Sequence, residues 1–118
     1  MKITEDVTEY AYLMNKTGYS YRQIFRYIKT QEFYFTTLDD EEPVNEKDMF
    51  EFIKRKTGLT NKQVINIGKA QLSLLEEDIS TDKICFMVKE MVKSFSKEDM
   101  DCMDADFYLY ALDYSEFF

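Results

Sequence analysis

The residues best suited to chemistry in this chain are cations and amides that recur at helical spacing. Two stripes of them occur, forty residues apart: Arg22, Arg26 and Lys29 form the first, and Lys62, Asn66 and Lys69 form the second. Intervals of four and three residues place side chains on one face of an α-helix. Arginine pairs with guanine edges, asparagine with adenine and lysine with phosphates, so these stripes suit recognition of a nucleic acid.

Further polar residues stand where each of these helices is predicted to begin, which is the part of a groove-reading helix that meets base edges. The candidate contacts are Tyr21, Arg22, Gln23, Arg26 and Lys29 in the first stripe and Asn61, Lys62, Gln63, Asn66 and Lys69 in the second. A solvated basic face on a purely structural hairpin is the alternative for the same residues, because capped amphipathic hairpins occur in many unrelated folds.

Catalytic and metal-binding patterns are missing from the sequence. There is no histidine, so the commonest general base is lacking, and no nucleophile elbow, phosphate-binding loop or paired-cysteine spacing occurs. Asp99, Met100 and Asp101 begin like a calcium loop, but the glycine and terminal glutamate that such a loop needs do not follow. We therefore expect no enzymatic activity, no cofactor and no metal ion.

Charge is strongly segregated along the chain. The formal net charge is −8, yet the acid-free windows 15–31 and 52–75 hold nine of the fifteen basic residues. The acids gather in the turn region 39–42 and after Leu75. Because a ligand meets a local field rather than the net charge, we expect two positive helices to face nucleic acid on an otherwise negative body.

An internal repeat of forty residues positions the two stripes. Residues 16–24 (KTGYSYRQI) return as residues 56–64 (KTGLTNKQV). In each copy, a helix is predicted to end at a glycine, Gly18 or Gly58, and the next helix to begin after a capping hydroxyl, Ser20 or Thr60. Each copy is therefore interpreted as a helical hairpin.

The chain is expected to form one mainly α-helical domain, 1–118. Its predicted parts are a first hairpin at 4–31, a second hairpin at 45–75 and acidic C-terminal helices at 80–118. Residues 32–38 and 107–112 share an aromatic pattern that is open to two interpretations. Either they extend helices, or they form strands that pair as a small antiparallel element, as in winged-helix proteins.

Apolar residues and glycines occupy matching positions in the two copies. They are Leu13, Gly18, Tyr19, Ile24 and Tyr27 in the first copy and Ile53, Gly58, Leu59, Val64 and Ile67 in the second. This arrangement resembles the helix-turn-helix unit of DNA-binding proteins. The resemblance implies that two recognition helices enter successive major grooves about 34 Å apart, as an internal pseudo-dimer on double-stranded DNA. Small tandem helix-turn-helix proteins of Gram-positive conjugative plasmids and phages are similar in organisation, which implies an accessory or transcription-regulating role on a mobile element.

The acidic residues suit a second class of function. An acidic adaptor, inhibitor or DNA mimic presents carboxylates and aromatic rings to a basic protein partner and does not itself bind DNA. Its marker residues here are Glu76, Glu77, Asp78, Asp99, Asp101, Asp104, Asp106, Phe117 and Phe118.

Cysteine usage and hydropathy indicate the compartment. Cys85 and Cys102 are too few for a disulfide scaffold and are interpreted as buried thiols. No signal-peptide pattern opens the chain, and no apolar run approaches the roughly 20 residues that cross a bilayer. We therefore expect a cytoplasmic protein that does not bind a membrane.

Overall fold

The computed structural model describes the backbone of residues 2–39 and 41–116 and the side chains of residues 7–39 and 41–115. Seven α-helices occupy these described ranges. They are α1 (Lys2–Thr17), α2 (Tyr21–Thr36), α3 (Glu46–Thr57), α4 (Asn61–Glu76), α5 (Thr81–Ser94), α6 (Lys97–Asp101) and α7 (Ala105–Glu116). The prediction of a mainly helical protein is confirmed.

The two aromatic segments that the sequence left open between helix and strand are helical. Residues 32–36 continue α2, and residues 107–112 lie within α7. The described ranges contain no strand, so the strand alternative does not apply to these segments. Tertiary packing explains the continuation of α2, because the ring centroids of Phe33 and Tyr34 lie 6.1 Å and 5.4 Å from that of Phe52 on α3.

Both predicted glycine stops have the left-handed conformation that ends a helix. Gly18 has a φ of 76° and Gly58 a φ of 74°. Their N–H groups donate to the carbonyls of Met14 at 2.9 Å and Lys54 at 3.0 Å. Glycine suits both positions because it has no Cβ to clash in this region of φ.

The helices that follow these turns begin with reciprocal caps. Ser20 and Thr60 share a φ of −73° and a ψ of 160°, and their hydroxyls accept from the backbone N–H groups of Gln23 and Gln63. Each glutamine carbonyl accepts in return from the N–H of its cap residue, at 3.0 Å in α2 and 2.9 Å in α4. Both predicted caps are confirmed, and each satisfies two backbone donors at a helix start.

The two hairpins pack crosswise. Helix α1 lies against α4, and α2 lies against α3, in addition to the contacts within each hairpin. Gln31 of α2 and Gln71 of α4 exchange side-chain hydrogen bonds, at 3.1 Å in one direction and 2.8 Å in the other. Fully buried side chains between the four helices include Tyr12, Leu13, Ile24, Ile53 and Ile67. A single apolar core therefore holds both hairpins together.

The C-terminal helices cover the first hairpin and leave the second largely open. Helix α5 packs on α1 and α7, α7 also packs on α1, and α6 meets α2. Buried residues in this layer include Met87, Val88, Met91, Phe107 and Ala111. Within the described residues α3 receives no comparable cover, and its Phe50 and Phe52 remain partly exposed.

Candidate nucleic-acid interface

Tyr21 is the first residue of α2, and its side chain is buried in the protein. Its side chain is 2% exposed, and its ring centroid lies 5.1 Å from that of Tyr10 and 5.3 Å from that of Phe107. Phe95 meets it edge to face at 5.7 Å. Tyr21 is therefore an anchor of the C-terminal layer, and its place among the predicted DNA contacts is corrected.

The start of α2 is closed by a carboxylate from α6. Asp99 is 2% exposed, and its Oδ1 accepts from the backbone N–H of Arg22 at 3.1 Å. Its Oδ2 accepts from the N–H of Ser96 at 3.0 Å, which completes the capping box predicted for α6. One buried side chain thus caps two helices. The groove-reading end of α2 is occupied by the protein's own acid.

The cations of α2 lie beside this acidic layer. Arg22 is half-buried, whereas Arg26 and Lys29 are exposed. Burial and then Asp99 raise the pKa of the Cys102 thiol, while the positive charges of Arg22 and Arg26 act on it in the opposite sense. Lys29 pairs with Glu32 at 3.8 Å on its own helix.

The start of α4 is open. Asn61 and Lys62 are exposed in the first turn, and no ion pair joins Lys62 to the described side chains. Exposed backbone donors and the positive end of the helix dipole favour an anion such as a phosphate here. Gln63, like Gln23, uses its side-chain carbonyl for the helix cap, which leaves only its amino group for a ligand.

Asn66 and Lys69 continue this face of α4 toward the end of α1. The side-chain amide of Asn66 donates to the hydroxyl of Tyr19 at 2.9 Å, so it joins the two hairpins. Lys16, Asn66 and Lys69 line a polar depression of about 320 Å³. Lys16 pairs with Glu77 at 3.7 Å, an interaction between partly exposed groups.

Two further exposed cations precede α4 in the chain, and the residues predicted from the sequence to contact DNA did not include them. Arg55 and Lys56 lie in the last turn of α3, six and five residues before Asn61, and both are exposed. The guanidinium of Arg55 and the amine of Lys56 lie 5.7 Å and 5.8 Å from the ring centroid of Phe52. Their location in an acid-free window is the signal in the sequence that could have identified them.

Metal-binding and membrane-spanning features are not found in the described part of the chain. No group of three or more cysteine, aspartate or glutamate side chains there is arranged to hold a metal ion. Among the described helices, none combines the length and the apolar character needed to cross a bilayer. Cys85 is buried as predicted, Cys102 is only half-buried, and both are free thiols.

Comparisons with protein-family models, with curated protein sequences and with solved structures found no match to this chain. Its function is therefore inferred from the geometry and charge of the residues described above.

Proposed function

We propose that this protein binds double-stranded DNA as an accessory or regulatory factor, and that the second hairpin makes the principal contact. The observation that carries the proposal is the open start of α4, where Asn61 and Lys62 are exposed, with exposed Arg55 and Lys56 at the end of the preceding helix. In this proposal, Asn61 meets a base edge and the three cations meet phosphates.

Two features support a duplicated helix-turn-helix origin for the hairpins. The glycine turns and cap residues have nearly the same backbone angles forty residues apart. The Gln31 and Gln71 side chains, also forty residues apart, bond to each other reciprocally, as expected for residues near a pseudo-twofold axis.

The two hairpins differ in what they offer to DNA. The carboxylate of Asp99 closes the start of α2, and Tyr21 is buried beneath the C-terminal layer. We therefore replace the expected internal pseudo-dimer, with two equal recognition helices, by a proposal with one principal recognition helix. Exposed Arg26 and Lys29 remain available for a weaker phosphate contact.

A salt series with a labelled random-sequence duplex of about 30 base pairs, roughly three helical turns, tests this proposal. Affinity should fall with rising salt, and Lys62→Ala or the Arg55→Ala/Lys56→Ala pair should reduce the slope by about 1 for each phosphate that is no longer neutralised. Lys83→Ala, which replaces an exposed lysine in the first turn of α5, is the matched control.

The outcomes separate the alternatives. Binding that does not depend on salt, or equal decreases in affinity for Lys62→Ala and Lys83→Ala, contradicts the proposal. An effect of Arg26→Ala as large as that of Lys62→Ala restores the two-hairpin interpretation.

An acidic protein-binding adaptor is the second candidate, favoured by the exposed carboxylates of Asp101, Asp104 and Asp106 around α6 and α7. Two of the predicted markers have internal roles, since Asp99 caps two helices and Glu77 accepts from the Tyr12 hydroxyl at 3.0 Å. Phe117 and Phe118 lie outside the described residues.

Neutralising the exposed acids distinguishes the two functions. Replacing Asp101, Asp104 and Asp106 by Asn should strengthen DNA binding, because repulsion of phosphates falls. Unchanged or weaker DNA binding by this variant would favour the adaptor.

A further inference from the structure

An apolar groove lies between the end of α2, the start of α3 and the second half of α4. Its volume is about 490 Å³. Four of its side chains are unusually exposed for apolar residues: Phe35 is 44% exposed, Val44 47%, Leu72 57% and Leu75 83%. Adjoining apolar side chains with this exposure mark an interaction surface more often than scattered ones do.

The floor of the groove is held by contacts within the protein. The reciprocal Gln31 and Gln71 hydrogen bonds join α2 to α4 there. The Phe50 ring lies against Gly68 so closely that an added Cβ would come within 3.0 Å of the ring. The groove is therefore preformed, and a ligand does not have to separate the helices to enter it.

The margin of the groove is acidic. Glu9 and Glu46 line it, and Lys69 is the only basic side chain among its lining residues in the described part of the chain. Exposed Glu41 and Glu42 belong to the loop that leads to Val44. A partner must therefore combine an apolar stripe with positive charge, since an acidic partner meets like charges.

We propose that this groove binds an amphipathic helix of another protein, with its apolar stripe against Leu72 and Leu75 and basic residues along its flanks. A groove between helices suits a helix with apolar residues at positions i, i+3 or i+4, and i+7. This contact is distinct from the proposed DNA contact at the start of α4, although Lys69, one of the predicted DNA contacts, lines the groove. Asn61 and Leu72 lie about 16 Å apart along the axis of α4, so the two surfaces are at different ends of the helix.

Two synthetic helical peptides with the same apolar stripe test the proposal, one with lysines on its polar flanks and the other with glutamates. Binding to the intact protein is measured by fluorescence anisotropy, and the oligomeric state of the protein by sedimentation. The Leu72→Ser/Leu75→Ser variant is compared with Phe86→Ser, which removes an equally exposed apolar side chain from α5. Thermal melts check that each variant folds.

The lysine peptide should bind the wild-type protein and the Phe86→Ser variant alike. It should bind the Leu72→Ser/Leu75→Ser variant at least about 10-fold more weakly, because the apolar anchors are gone. The glutamate peptide should also bind at least about 10-fold more weakly than the lysine peptide.

Four results would overturn the proposal. They are no binding of the lysine peptide, equal binding of the two peptides, equal binding to the two variants, and self-association of the protein that the Leu72→Ser/Leu75→Ser change abolishes. The last result would assign the groove to a second copy of the chain.

Discussion

Replacing Asp99 by Ala should destabilise the protein more than replacing any exposed acidic residue in its C-terminal part. The carboxylate accepts from the N–H groups of Arg22 and Ser96, and it is 2% exposed. Loss of a helix cap costs about 1 kcal/mol, and a buried donor left without a partner costs about 1 to 3 kcal/mol. Two backbone donors lose their acceptor, and water can partly replace it. We therefore expect the free energy of unfolding to fall by about 2 to 4 kcal/mol.

Urea unfolding followed by circular dichroism measures this decrease, and the melting temperature should fall by about 8 to 16 °C. Asp101→Ala is the matched control, because Asp101 is an exposed aspartate on the same helix; it should change stability by less than about 0.5 kcal/mol. The stability of Asp99→Asn should lie between those of Asp99→Ala and Asp101→Ala, because the single oxygen of the amide replaces only one of the two carboxylate oxygens that accept hydrogen bonds. If Asp99→Ala is no less stable than Asp101→Ala, the carboxylate does not hold α6 to α2.

The remaining predictions concern polar side chains between helices and in the core. Gln31→Leu and Gln71→Leu should each lower the free energy of unfolding by about 1 kcal/mol, and the double variant should lower it by less than the sum of the two. A double-mutant cycle that shows no coupling between the two residues would contradict the reciprocal hydrogen bonds. Tyr27→Phe should stabilise the protein by about 1 kcal/mol, because the buried Tyr27 hydroxyl has no hydrogen-bond partner among the described residues. Tyr12→Phe should destabilise the protein, because it removes a hydrogen bond of 3.0 Å to the carboxylate of Glu77. Burial, and to a smaller extent the charge of Glu46, raise the pKa of Tyr27 above its ordinary value near 10, so Tyr27 ionises first in the unfolded chain. The free energy of unfolding should therefore fall as the pH rises past 10, and it should fall less steeply in Tyr27→Phe. If the two proteins lose stability equally at alkaline pH, this prediction is wrong.

The local signals in the sequence predicted the turns and caps correctly. Gly18 and Gly58 have the expected positive φ, and Ser20 and Thr60 cap as expected. These features depend on interactions within about four residues, so the order of residue types is sufficient to predict them.

Long-range features could not be predicted in the same way. Tyr21 stands at the position of a groove-facing residue, and it is covered by Tyr10 of α1 and by Phe95 and Phe107 of the C-terminal layer. Leu72 and Leu75 fit the apolar stripe of a core helix, yet they are exposed because no described element covers that face of α4. Periodicity identifies an apolar face but does not identify what covers it.

The different surroundings of the two hairpins follow from substitutions at matching positions. Ala11 and Met14 of α1 are buried, and with Met87 and Met91 of α5 they line one crevice. The residues forty positions later on α3 are Glu51, which is exposed, and Lys54, which is partly exposed; they form an ion pair at 3.4 Å.

A helix such as α5 cannot cover that charged face without removing both ions from water, and the cost of doing so exceeds what an exposed pair gains. The acidic layer is therefore directed to the first hairpin, where its carboxylate closes α2. The same charges that exclude it from α3 leave the basic end of the second hairpin open to solvent. In the proposed function, one set of substitutions thus decides both which hairpin is structural and which meets DNA.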